Sequence, residues 1–341
     1  MTVVIIAMVV LLIALSWWLL GKLVPVLINN EIVDHPNDRT LHKGAVPRGG
    51  GLIIVGGLLL GLLGITVVSG EYVFFGVLTL LMLGWAGVSW VDDRRSLSPQ
   101  FRLLTQLILA LATILAFGWV ERVSGVNLHW FGPLLSLVGL VWMANLYNFM
   151  DGLDGLAGSQ SVIASVTLSY WFYSSGALYL TGLCLLVSAC SCGFLLRNWN
   201  PAQVFMGDVG SITLGAFFGS LLIIGVSHYQ LPVLSFIVLF AVFIVDATVT
   251  ISLRAHRGEK IWLPHRQHFY QRLANAGYDH ANIALSAAAL MILCSLLATF
   301  GIAYRDMMGA SIISVLSLIF IAVFLVIKLE KKADAAKHNN P

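Results

Sequence analysis

The chain has 341 residues, 59% of them hydrophobic and 10% charged, with a mean hydropathy of +0.90. Soluble domains carry about 25% charged residues, so the composition excludes an ordinary soluble protein and points to one built for lipid. The net charge of +3 is small, so the basic residues read as orientation signals and anion ligands, and no nucleic-acid partner is expected.

About 20 apolar residues span a bilayer. Eleven runs meet that description, or ten if the weakest is dropped: 3–24, 49–69, 72–91, 101–119, 131–149, 156–174, 177–196, 211–228, 232–253, 282–304 and 308–328. The longest polar stretches between them, 25–48 and 254–281, are too short for a core of their own. The expectation is one all-α polytopic membrane bundle, a single domain over residues 1–341. No basic residue precedes the first apolar run; Lys22, Arg39, Lys43 and Arg48 follow it. A cleaved leader has the opposite order, so 3–24 reads as a retained helix. Cys184, Cys190, Cys192 and Cys294 fall inside predicted helices without zinc-ligand spacing and read as small apolar fillers.

Of the nineteen Lys and Arg residues, all but Arg122 and Arg305 fall at the odd-numbered loops, their flanking helix ends and the C-terminal tail. The positive-inside rule puts those segments in the cytoplasm and the N-terminus outside. Asp92, Asp93, Asp151, Asp154 and Asp208, and with them His42, His256, His265 and His268, lie on the same side. The polar chemistry is therefore expected at the cytoplasmic membrane surface, where a water-soluble substrate can meet a lipid-borne one.

The first loop, Asp34-His-Pro-Asn-Asp-Arg39-Thr-Leu-His42-Lys43-Gly-Ala-Val-Pro-Arg48-Gly-Gly-Gly51, is basic and opens into a glycine-rich helix start. It is either a diphosphate cradle or one more orientation signal. Asp92-Asp93 follows the third span; adjacent carboxylates repel, and a cation relieves the repulsion, as pairing with Arg94 and Arg95 also would. Asn145-Leu-Tyr-Asn148-Phe-Met-Asp151-Gly-Leu-Asp154-Gly-Leu-Ala-Gly158 is the strongest signal. Its amides and acids recur every third residue, which on a continuing helix makes one polar ridge. Ionisable groups at membrane depth are costly and persist where they serve chemistry. A capping turn explains one Asp and one Gly, but not two amides upstream. Asn198-Trp-Asn-Pro-Ala-Gln-Val-Phe-Met-Gly-Asp208-Val-Gly-Ser211 leads into the eighth helix, where Asp208 is a hard-cation ligand, a helix cap, or both. In the last large loop, His265-Arg266-Gln-His268 with Arg254, Arg257 and Arg272 suits phosphate, or anionic lipid headgroups. Asp246, inside the ninth span, reads as a buried structural partner for an arginine or as a support behind the reacting groups, and is not assigned to catalysis.

Together these motifs resemble the polyprenyl-phosphate N-acetylhexosamine-1-phosphate transferases. The likeness covers nearly the whole chain: Pro-Asn-x-Arg-x-x-His in the first loop, Asp-Asp, Asn-x-x-Asn-x-x-Asp-Gly-x-Asp-Gly, Phe-Met-Gly-Asp-x-Gly-Ser, and the histidines of the last loop. Each is weak alone; in this order and on one face they are specific. The resemblance implies transfer of a sugar-1-phosphate from a UDP-N-acetylhexosamine to undecaprenyl phosphate, with Mg²⁺ or Mn²⁺, in the bacterial inner membrane, by an enzyme that forms a homodimer by analogy. It implies Asp92, Asp93 and Asp151 as catalytic carboxylates and Asp208 with Asp93 as metal ligands. Asn148, Asp154, Asn198, His265, Arg266, His268, Arg39, His42 and Lys43 would contact substrates. The muramyl-type branch carries three consecutive histidines where this chain has His265-Arg266-Gln267-His268. That departure favours a simpler donor, GlcNAc or a 6-deoxy sugar such as FucNAc or QuiNAc, and a role in starting lipopolysaccharide O-antigen or a related envelope glycan. The competing reading is an ion-coupled secondary transporter, whose site would lie near the bilayer midplane between repeated halves.

Overall fold

A computed structural model describes residues 2–34, 44–260, 263 and 265–339. Every apolar run expected to span is helical. The helices are α1 (Thr2–Asn29), α2 (Gly51–Ser69), α3 (Tyr72–Arg95), α4 (Pro99–Phe117), α5 (Phe131–Phe149), α6 (Leu156–Ser174), α7 (Leu178–Asn198), α8 (Asp208–Tyr229), α9 (Val233–Leu239), α10 (Ala241–His256), α11 (Phe269–Asn275), α12 (His280–Ala303) and α13 (Met308–Asn339). Two short antiparallel strand pairs, β1 (Val33–Asp34) with β2 (Val46–Pro47) and β3 (Arg122–Val123) with β4 (Val126–Asn127), and a 3-10 turn at Arg305–Met307 complete the described fold. The protein is an all-α polytopic membrane protein.

Among the described residues, eight helices are long and apolar enough to cross a bilayer singly, fewer than the eleven expected. The difference is physical. The helices α5 and α6 are 19 residues each but carry the polar side chains of the interior: Asn145 and Asn148 in α5, Ser159, Gln160, Ser161 and Ser165 in α6. The run 232–253 is not one helix. It breaks at Phe240, and α9 and α10 meet at a bend of 78°. No proline or glycine lies at the break. Instead the fully buried Gln160 donates its amide to the Leu239 carbonyl at 3.3 Å, a side chain entering the helical ladder.

The core is organised around α8. Its span is 89% buried, against 11% for α1 and 17% for the span containing α13, whose apolar side chains (Val3, Leu11, Phe320, Phe324) face outward. Such burial needs close neighbours, and small residues supply the room. A Cβ on Gly51 of α2 would fall on the Cα of Gly210, so these two helices cross backbone to backbone. The three buried cysteines (Cys184, Cys190 and Cys294) are free thiols within this packing.

Candidate active site

Two helices end and one begins at the same place. Because α3 continues to Arg95, Asp92 and Asp93 sit on the helix itself and not in the loop expected after residue 91. Neighbouring helical residues project about 100° apart, and the pair divides accordingly. Asp93 faces α8: its Oδ1 accepts from the Asp208 N–H at 3.2 Å and its Oδ2 from the Val209 N–H at 2.9 Å. Asp92 turns to α4, accepting from the Leu97 N–H at 2.7 Å and from Arg102 at 3.0 Å. It lines a minor crevice between α3 and α4 and does not reach the main cleft.

From α5, Asn148 donates to Asp208 Oδ1 at 2.8 Å and to the Ser211 hydroxyl at 3.0 Å, which orients the carboxylate at the start of α8. Asn145, three residues earlier, instead pairs with Gln106 of α4 at 2.7 Å. The helix stops at Phe149, and the following turn carries Asp151 and Asp154. Asp154 accepts from the Ala202 N–H at 3.1 Å. Asn198, at the end of α7, spends both ends of its amide on backbone: it accepts from Gly155 N–H at 3.0 Å and donates to the Val204 carbonyl at 2.9 Å. It thereby clips the 150–155 turn to the loop before α8.

These segments enclose a cleft of about 240 Å³ lined by Asp34, Arg48, Asp93, Asn148, Asp151, Gly152, Leu153, Asp154, Asn198, Phe205, Gly207, Asp208, Gln271 and His280. Half-buried Asp151 takes no hydrogen bond to its carboxylate from another described residue. Burial first, and then the charges of Asp208, Asp93 and Asp154, push its carboxyl well above the ordinary value. A larger cavity, about 910 Å³, is an open depression around Glu121, Arg122, Gln230 and Arg305. It lies at the other end of α8, about 30 Å away at 1.5 Å per residue, and gathers no comparable set of acids.

The last loop enters differently from expectation. Its histidines do not line the cleft; Gln271 does. His268 is buried, with Nδ1 2.9 Å from Asp246 Oδ1, and its ring lies parallel to Tyr270 at 5.8 Å. Asp246 also accepts the Phe269 N–H at 3.1 Å, so the buried acid of α10 seats the start of α11. Tyr270 in turn donates to the Phe149 carbonyl at 2.9 Å, beside Gly152. His265 sits 4.9 Å from His268, ring to ring. Burial, then the charges of His268 and Arg254, push it down to about 4. Arg266 is described but does not line the cleft. Arg39, His42 and Lys43 lie outside the described residues. Four lining residues with charged or amide side chains had no individual role assigned from sequence: Asp34, Arg48, Gln271 and His280. Arg48 was visible as part of the basic first loop. His280 had no signal beyond opening a helix.

Among the described residues, no three carboxylates, imidazoles or thiols converge as a ready-made metal cage. A cage is not what Mg²⁺ requires: it is held by one or two carboxylates together with water and substrate phosphates. The cleft offers hard oxygen donors of that kind, and the crowding around Asp151 is what a cation relieves.

The family model described as Glycosyl transferase family 4 matches residues 73–226, the stretch that contains Asp92, Asp93, Asn148, Asp151, Asp154, Asn198 and Asp208. A probable undecaprenyl-phosphate N-acetylglucosaminyl 1-phosphate transferase of Bacillus subtilis (strain 168) is 32% identical over 263 residues, 73% of this chain and 71% of that protein. An undecaprenyl-phosphate alpha-N-acetylglucosaminyl 1-phosphate transferase of Yersinia pestis is 28% identical over 295 residues, 79% of this chain and 77% of the other. A phospho-N-acetylmuramoyl-pentapeptide-transferase of Chlamydia trachomatis is 32% identical over 204 residues, covering 52% of this chain and 60% of that one. With this extent of similarity, the chain belongs to glycosyl transferase family 4, the polyprenyl-phosphate hexosamine-1-phosphate transferases.

Proposed function

We propose that the protein transfers N-acetylhexosamine-1-phosphate from a UDP-sugar to undecaprenyl phosphate. An oxygen of the lipid phosphate attacks the sugar-linked phosphorus, the diphosphate bridge breaks, and UMP leaves with the bridging oxygen. The observation that carries this reading is the convergence of Asp93, Asn148, Asp151, Asp154 and Asp208 in one cleft at the ends of apolar helices. A lipid phosphate and a water-soluble donor can both reach such a place.

Phosphate monoesters have a second pKa of about 6, so the acceptor is largely ionised at neutral pH. The difficulty is less to create a nucleophile than to bring two anions together. Asp208, oriented by Asn148, and Asp151 would hold a divalent cation. When bound, that ion neutralises phosphate charge and stabilises the charge spreading in the transition state. Asp154 and Asn198 fix the turn that presents Asp151. The donor sugar is GlcNAc or a 6-deoxy N-acetylhexosamine, and the product starts O-antigen or a related envelope glycan. The cleft faces the cytoplasm in the bacterial inner membrane, with the N-terminus outside, in keeping with the distribution of Lys and Arg.

The test is UMP release by the purified protein with undecaprenyl phosphate, Mg²⁺ and a panel of UDP-N-acetylhexosamines, beside Asp208→Asn. Release that needs lipid and cation and collapses in the variant supports the reading and names the sugar. Folded protein that turns over no donor, yet binds a solute intact, would replace it with the transporter.

A further inference from the structure

Among the described residues, five acids line the cleft (Asp34, Asp93, Asp151, Asp154, Asp208), and the basic side chains lining it are Arg48 and His280. Arg48 is built in with care. Residues 47–51 run alongside 205–206. The Phe205 N–H donates to the Pro47 carbonyl at 2.8 Å, the Gly50 N–H to the Phe205 carbonyl at 2.8 Å, and the Gly51 N–H to the Met206 carbonyl at 2.9 Å. This fixes the Arg48 backbone beside Gly207 and Asp208. The guanidinium then donates to the Asp93 backbone carbonyl and lies 3.9 Å from Asp93 Oδ1. Its side chain stays 38% exposed while that of Asp93 is 2% exposed. A guanidinium has five N–H donors in a rigid fork, so donors remain for a second, anionic acceptor.

Asp93 has the opposite character. Each carboxylate oxygen already accepts a backbone N–H from the first turn of α8. Gly207, at φ +76°, lets the chain turn in there; a Cβ would lie 3.2 Å from Asp93 Oδ2 and 3.1 Å from Gly49 N. A carboxylate buried and occupied in this way is poorly placed to coordinate a cation, the role its motif suggests. It is well placed to hold two other groups: Arg48 on one side and the Asp208 end of α8 on the other.

We propose that Arg48 is a substrate-binding residue that grips a phosphoryl oxygen in the cleft, and that Asp93 is the positioning residue that holds Arg48 and Asp208 in register. The proposal rests on the transferase reading above. It leaves Asp208 and Asp151 as the cation-facing acids and divides the Asp-Asp pair between two structural tasks, since Asp92 is committed to Arg102 and Leu97.

The test compares Arg48→Gln, Arg48→Lys, Asp93→Asn and Asp208→Asn with the parent enzyme. UDP-sugar is titrated at saturating lipid, and lipid at saturating UDP-sugar. A charge-assisted hydrogen bond to phosphate makes the expected rise in one substrate's KM about tenfold or more for Arg48→Gln. The other KM stays within about twofold, and Arg48→Lys recovers only part, having the charge without the fork. A rise for UDP-sugar assigns the grip to the donor diphosphate; a rise for the lipid assigns it to the acceptor phosphate. Mn²⁺ affinity, read by electron paramagnetic resonance without turnover, is expected to fall in Asp208→Asn and to stay at the parent value in Asp93→Asn. Both KM values unchanged in Arg48→Gln, or Mn²⁺ affinity lost equally in Asp93→Asn, would overturn the proposal. If the parent turns over no donor, the transferase reading fails by itself. Equilibrium binding of UDP-N-acetylglucosamine and of undecaprenyl phosphate then decides on Arg48: one weakened about tenfold supports the grip, neither weakened overturns it.

Discussion

Asp246 is the place where a single substitution should separate local from global stability. It is buried in α10 and, besides the Thr250 hydroxyl of its own helix at 3.3 Å, serves as acceptor for three groups at the start of α11: the His268 ring at 2.9 Å, the Phe269 N–H at 3.1 Å and the Tyr270 N–H at 3.4 Å. Asp246→Ala leaves these three donors without an acceptor in a water-poor place. At about 1–3 kcal/mol for each buried donor left unpaired, the loss is about 3–6 kcal/mol, discounted for the longest bond. A helix of seven residues has no reserve of that size, so α11 should detach before the bundle melts. Asp246→Asn keeps one acceptor oxygen and should cost about 1–2 kcal/mol. Hydrogen exchange in detergent, followed by mass spectrometry, reads both. In Asp246→Ala the Phe269–Asn275 amides should exchange at least a hundredfold faster while those of α8 stay protected. Unchanged exchange in α11, or an equal rise in α8, would refute the assignment of Asp246 as its seat.

Three further outcomes are expected. Asp151→Asn should abolish transfer and yet raise the melting temperature in cation-free buffer at neutral pH. Burial and the charges of Asp208, Asp93 and Asp154 raise this carboxyl in the folded state, so the native form loses stability as pH climbs above the unfolded value of about 3.9; the gap between variant and parent should close again towards pH 4, and a gap independent of pH would count against it. His265 is pushed down to about 4 from 6.5, so the folded state prefers the neutral ring and loses stability as pH falls through that interval; His265→Asn should therefore show a smaller fall in melting temperature between pH 7 and 4.5 than the parent, and equal falls would contradict this. Gly51→Val puts a side chain onto the Cα of Gly210 and should cost about 1–3 kcal/mol or more by forcing α2 off α8, seen as a lowered melting temperature; an unchanged one would mean the two backbones do not meet.

The helical runs were legible because lipid demands long apolar stretches with all backbone groups paired internally. The acids were legible because each is expensive where it sits. What the sequence could not supply is which way each one turns. The ridge expected from Asn145, Asn148 and Asp151 splits: the first pairs with Gln106 on α4, and the other two line the cleft. Asp92 and Asp93 part because α3 runs four residues past its apolar stretch, so a pair expected in a loop lies on a helix. The break at Phe240 has no proline or glycine to announce it and depends on Gln160, 79 residues away in sequence. The described last-loop histidines lie outside the cleft lining, and nothing local reveals that Asp246, 22 residues from His268, would pair with one of them.

A rule emerges from how the acids are bonded. Asp92 accepts from Leu97 N–H, Asp93 from Asp208 and Val209, Asp154 from Ala202, and Asp246 from Phe269 and Tyr270. In each case the carboxylate of one segment holds the backbone of another, a charge-assisted bond that fixes two chain segments in register. These four acids tie together α3, α4, α8, α10, α11 and the turn after α5, the parts that must stay aligned around the cleft. Asp151 and Asp208 break the pattern. Among the described residues, the first takes no hydrogen bond to its carboxylate, and the second takes one, from Asn148. Carboxylates so thinly satisfied in a crowded cleft gain most from a cation and phosphate that arrive with the substrates. The acids that do the least for the fold are therefore the ones on which the reaction should depend most directly, and the loss of any of the other four should act on the chemistry through the placement of these two.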